Sequence, residues 1–98
     1  MLLCLPVAGQ PGGILEGVVK DKNTQAPLPG IIITLEGTQQ GTSSDENGVF
    51  RLTGIAPETY NVKAQGIGYK PLVTYNVVVT SGNVQPLSIE MEENAVSL

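Results

Sequence analysis

Residues 30–36 read Gly-Ile-Ile-Ile-Thr-Leu-Glu. Ile31, Ile33 and Leu35 fall on one side of an extended chain, and Ile32, Thr34 and Glu36 on the other. That is the two-residue period of a strand with one face against a core. Three successive β-branched isoleucines favour the same conformation, because their side chains pack better on a pleated surface than on a helix.

The same alternation recurs on both sides of this segment. Ile14–Lys20 reads as an earlier strand with Leu15 and Val19 on one face, separated from it by the polar, Pro-containing loop Asp21–Pro29. After a short turn at Gly37–Gln40, Gly41–Ser44 is expected to return as an antiparallel partner. Asp45-Glu46-Asn47-Gly48 is a turn signal, since Asn and Gly tolerate positive φ and Asp binds local N–H groups. Val49–Thr53 then places Phe50 and Leu52 inward, and Thr59–Ala64 places Tyr60, Val62 and Ala64 inward. Gly66 and Gly68 suggest a bulge or close backbone approach before Tyr69. The longest alternation follows Lys70-Pro71, with Val73, Tyr75, Val77 and Val79 expected on the buried face. A turn at Ser81-Gly82-Asn83 leads into Val84–Glu92, with Leu87, Ile89 and Met91 inward. Tyr60, Tyr69 and Tyr75 are each expected to bury a ring while keeping the hydroxyl near a partner or water.

Composition agrees with this reading. Val, Ile and Thr supply 26 of 98 residues, while 12 Gly and 7 Pro are spaced as punctuation. About seven short strands with frequent turn signals point to an all-β, two-layer antiparallel sandwich. Residues 14–92 form that unit. Residues 1–13 (MLLCLPVAGQPGG) are expected to be a signal-peptide remnant or a disordered segment, from their apolar run ending in small residues. Residues 93–98 have no pattern of their own. No apolar stretch approaches the roughly 20 residues that span a membrane as a helix.

Composition also excludes functions. The chain has no His and one Cys, Cys4, and carries a net charge of −4. Ser-His-Asp and Cys-His catalysis, structural zinc sites and an internal disulfide are removed. Five Lys+Arg cannot build the basic face that nucleic acid needs. The nine acidic residues sit mostly at turns or outward positions, where solvent keeps them ordinary. Asp45–Gly48 resembles half of a calcium loop but lacks the following glutamate, so it is read as a turn. Gly66-Ile67-Gly68 precedes Tyr69-Lys70-Pro71 rather than a helix N-terminus, so it is no phosphate cradle. Lys20 and Asn94 suggest a Lys–Asn crosslink, but Asn94 lies in a featureless tail. No residue is assigned a catalytic, cofactor-binding or metal-ligating role, and no cofactor is expected.

Taken in order, the motifs carry a family resemblance. Gly17-Val18-Val19-Lys20-Asp21 precedes Ala26-Pro27-Leu28-Pro29-Gly30, then Ile33 and Leu35-Glu36-Gly37-Thr38. Gly41–Phe50 (GTSSDENGVF), Pro57-Glu58-Thr59-Tyr60 and Gly66-Ile67-Gly68-Tyr69 follow. This succession resembles the carboxypeptidase regulatory-like domain, as found at the N-terminus of SusC-like TonB-dependent outer-membrane receptors. Glu58 stands where that family usually has Gly.

The resemblance implies a transthyretin-like, seven-stranded Greek-key sandwich. It further implies a non-catalytic accessory domain on the periplasmic side of the outer membrane of a Gram-negative cell. There it would be a spacer or docking module of a receptor importing glycans or other nutrients. The tail Met91–Leu98 resembles the run-in to a TonB box. Protein partners are expected, namely a periplasmic component or the receptor's own plug and barrel, and the fragment alone is expected to be monomeric. The alternative is a folding or adhesion module attached to an exported carboxypeptidase or glycan-active enzyme. A hydrolase of the transthyretin-like type is disfavoured, because such enzymes rely on histidines.

Overall fold

The computed structural model describes residues 12–94; residues 1–11 of the signal-like start and the last four residues of the tail lie outside the described residues, while Gly13 already belongs to the first strand. Seven strands follow one another without a helix among the described residues: β1 (Gly13–Asp21), β2 (Ile32–Leu35), β3 (Gly41–Ser43), β4 (Val49–Ile55), β5 (Thr59–Gln65), β6 (Leu72–Val78) and β7 (Val84–Met91). They form two sheets, one of three strands in the order β4-β1-β7 and one of four in the order β3-β2-β5-β6. The inward residues of both sheets meet in one core containing Leu15, Val19, Ile33, Leu35, Phe50, Val62 and Ile89.

One pairing departs from the expected antiparallel arrangement. β1 and β7, the first and last strands, run parallel from Ile14↔Val84 to Asp21↔Met91, whereas β1–β4 and every pair of the four-stranded sheet are antiparallel. Inward–outward alternation is the same for either direction, so the sequence pattern carries no sign of it. β7 is an edge strand and contains Pro86. Ile14 N–H donates to Asn83 O and Lys22 N–H to Met91 O, so odd-numbered β7 residues bond to β1 and Pro86 falls among those facing outward. A proline there forfeits no ladder bond.

Gly17 lies opposite both Phe50 and Leu87. A Cβ on Gly17 would collide with the Leu87 carbonyl and with the Phe50 ring, which lies over the glycine. Phe50 therefore fills the core as expected, and it does so because its cross-strand neighbour has no side chain.

The Asp45–Gly48 turn forms as read, with φ +77° at Gly48 and the Asp45 carboxylate accepting the N–H groups of Asn47 and Val49 at 2.8 and 2.9 Å. β4 runs past its expected end to include the fully buried Ile55.

The long alternation of β6 is the other departure. Tyr60 pairs with Val77 but Val62 pairs with Thr74, so Tyr75 and Asn76 together oppose Asn61. Asn76 takes up the extra residue at φ +58°, and its N–H donates to the Asn61 side chain at 3.3 Å. The bulge reverses the faces. Val77 and Val79 are buried as expected, but Leu72, not Val73, packs against the core, and Tyr75 is 66% exposed.

Candidate functional site

The most elaborate polar cluster joins the two sheets where β1 ends. Asp21 closes β1, and Oδ1 of its carboxylate accepts the N–H groups of Asn23 (2.8 Å) and Thr24 (3.0 Å), turning the chain out of the strand. Its Oδ2 accepts the hydroxyl of Tyr69 at 2.8 Å. Tyr69 follows Gly68, whose φ of +89° aims the chain back toward the other sheet. Its backbone pairs with Glu93, and flanking bonds run from Lys70 N–H to Glu92 O and from Asn94 N–H to Gly68 O. The end of β1, the β5–β6 bend and the chain after β7 are thus tied at one point. Glu93 and Asn94, which carry no pattern in sequence, belong to this clasp.

Electrostatics follow the hydrogen bonds. The Thr24 N–H, then the Tyr69 hydroxyl and the Asn23 N–H, hold the Asp21 carboxyl below the ordinary carboxylate value. The hydrogen bond to Asp21, followed by burial and the negative charges of Asp21 and Glu93, raises the Tyr69 phenol. A carboxylate with both oxygens engaged is a weak base, and a phenol held protonated is a weak nucleophile. The cluster is built for holding chain segments together.

Two further polar side chains bond to the backbone in the same way. Ser44 is buried, accepting Ile31 N–H at 2.9 Å and donating to Leu28 O at 2.7 Å. Tyr60 donates to Ala56 O at 2.6 Å, and burial, then Glu58, raises its pKa. Gly66–Tyr69 is a tight turn, with Tyr69 N–H donating to Gly66 O. Lys20 lies opposite Glu90 in the β1–β7 ladder, while Asn94 is exposed, so the pair lacks the shared burial a crosslink requires. Among the described residues no three His, Cys, Asp or Glu side chains gather to hold a metal ion. Nor does any helix there have the length and apolarity to cross a membrane.

What the surface does offer is apolar. Ile32, Tyr75 and Val78 project from the four-stranded sheet, and Ile67 is wholly exposed at the β5–β6 bend. A shallow groove of about 340 Å³ runs beside that bend, between Ile32, Gln65, Ile67 and Pro71. Sequence reading missed the Asp21–Tyr69 clasp and the exposure of Tyr75, although it placed Ile32 on the outward face. The Asp-x-Asn-Thr run at Asp21–Thr24 signals the turn, but nothing in sequence pairs it with Tyr69, 48 residues away.

The described residues form a two-sheet β-sandwich in which Asp21, Ser44 and Tyr60 bond to the chain's own backbone. The sequence narrows this further. The chain belongs to the CarboxypepD_reg-like domain family, whose profile matches residues 15–98. Over 84 residues it is 27% identical to mouse carboxypeptidase D, covering 86% of this chain and 6% of that protein's length. Among solved structures it resembles a chain of a type II cohesin–X-dockerin complex from Acetivibrio cellulolyticus, with a TM-score of 0.71 and 28% identity. That match covers 82% of this chain and 57% of the other. The minor pilin GBS52 of Streptococcus agalactiae shares the fold at a TM-score of 0.63 and 17% identity, covering 91% of this chain and 48% of the pilin.

Proposed function

We propose that this domain is a non-catalytic accessory module of a TonB-dependent outer-membrane receptor importing glycans or other nutrients. It lies on the periplasmic side, where it acts as a spacer or docking block. The observation that carries the reading is the family match across residues 15–98, together with the ordered motif series from Gly17 to Tyr69. The engagement of Asp21, Ser44, Tyr60 and Tyr69 in backbone-directed and cross-sheet bonds supports a mechanical role. We read the connectivity as Greek-key and transthyretin-like, with partners that are proteins: a periplasmic component or the receptor's own plug and barrel.

The similarity to mouse carboxypeptidase D favours a second reading, a folding or adhesion module of an exported carboxypeptidase or glycan-active enzyme. Both readings make the domain an appendage to a larger protein.

Excising residues 14–92 from the parent receptor and following substrate uptake tests the first. Impaired uptake with normal receptor abundance is expected; unchanged uptake overturns a required role in transport. A parent gene encoding a peptidase or glycosidase domain, with no plug and barrel, would decide for the second.

A further inference from the structure

β1 and β7 lie side by side and run the same way, in register from Ile14↔Val84 to Asp21↔Met91. The chain therefore enters this ladder at one end, before Gly13, and leaves it at the other, after Met91. Tension drawn through the flanking chain pulls β1 and β7 in opposite directions along their own axes. Hydrogen bonds between strands lie across those axes, so such a pull separates the pair only by straining the bonds of the ladder together. Were the last strand antiparallel to β1, both flanking segments would leave from the same end of the ladder. The same tension would then open it one bond at a time.

Both ends of the ladder are reinforced. At the entry, Ile14 N–H donates to Asn83 O at 3.0 Å and Gly82 N–H to Gly12 O at 3.2 Å. At the exit, Lys22 N–H donates to Met91 O at 2.8 Å. Beyond it, residues 92–94 run beside residues 68–70, with Lys70 N–H donating to Glu92 O at 2.9 Å and Asn94 N–H to Gly68 O at 2.8 Å. Tyr69 in that segment is bonded to Asp21, the last residue of β1. The clasp thus ties the departing chain to the strand it would have to slide along.

β1 is held on its other side by β4, so β7, an edge strand with one neighbour, is the strand that would move. A slip of one residue would turn the fully buried Ile89 and Met91 out of the core. The strands of the four-stranded sheet pair with neither β1 nor β7 and lie off the direct path of the load. We propose that the β1–β7 ladder and its clasp make this domain a load-bearing link, which stays folded under tension applied through the chain before residue 12 and after residue 94. The property belongs to the domain and does not depend on which larger protein carries it.

Single-molecule force spectroscopy tests this on one protein held in two ways. The 98-residue chain carries Cys4→Ser, which removes the native thiol, and Asn23→Cys. Residue 23 is exposed in the turn after β1 and gives Asp21 its backbone N–H, which cysteine keeps. The protein is tethered either by its two ends or by the introduced thiol and the C-terminal end. The second arrangement peels β7 from β1 starting at the exit. Forced unfolding follows the barrier along the pull rather than the equilibrium stability, which is the same in both arrangements. At one pulling speed the end-to-end tether is expected to need a severalfold higher unfolding force; an equal or lower force overturns the proposal.

Proline substitutions locate the load. Ile14 N–H bonds to Asn83 O, so the parallel alternation gives Gln85 N–H the next bond to β1 and turns Ser88 N–H outward. Gln85→Pro should lower the end-to-end force, and Ser88→Pro should leave it unchanged. A force lowered equally by both, or by neither, overturns the ladder as the bearing element. Should a proline variant not fold, the comparison of the two tethers decides alone.

Discussion

Asp21 shows how one side chain serves three segments. Its carboxyl is held ionised by donors that exist only in the folded chain, so its folded pKa lies below the unfolded value. The stability this gives is fully present above the ordinary value of 3.8 and is lost as pH falls through the lowered one. Thermal melting followed from pH 7 downward should therefore show a steep loss below about pH 4. Asp21→Asn, without that titration, should be less stable at pH 7 but flatter over the acid range. Tyr69→Phe removes one of the donors and should move the acid loss to higher pH. Gly17 and Phe50 form the second residue-scale device. Phe50→Ala empties a fully buried position and should cost about 3–5 kcal/mol in denaturant unfolding. Gly17→Ala drives a methyl into Leu87 O and the Phe50 ring and should cost about 1–3 kcal/mol, despite adding a single carbon.

Among the elements, β6 is the one whose geometry departs furthest from its pattern. Asn76 at φ +58° is in the left-handed region, which Asn visits far more readily than a β-branched residue does. Asn76→Val should cost about 1–2 kcal/mol, whereas Asn76→Gly should fold normally, as urea midpoints for the two variants would show. β7 gives the opposite expectation. Pro86 faces outward on an edge, so Pro86→Val should change stability by less than about 0.5 kcal/mol while restoring one outward N–H donor. The β6 alternation was legible, and Val77 and Val79 face inward as it predicts, but the switch of faces before Asn76 was not. A bulge adds one residue without altering composition, and the compensating contacts, Asn61 above all, come from the neighbouring strand.

Across the whole molecule, the parallel β1–β7 ladder makes the fold depend on its last strand. β1, the central strand of its sheet, is paired on one side by β4 and on the other by residues 84–91. A chain ending at Asn83 loses that ladder together with the buried Ile89 and Met91. It should give no cooperative melting transition. Because the chain's two ends must meet before this sheet closes, stopped-flow refolding should take milliseconds to seconds, as in other sandwiches rich in non-local pairs.

Local chemistry alone set the number of strands, most of their inward faces, the Asn47-Gly48 turn and the absence of histidine chemistry. Each depends on residues within a few positions of one another, through side-chain alternation or backbone preference. The direction of β7 against β1, the reversal of faces at Asn76 and the Asp21–Tyr69 clasp arose only when distant segments came together. Strand polarity, bulge position and hydrogen-bond partners are properties of pairs of segments, and a one-dimensional pattern carries no term for the pair.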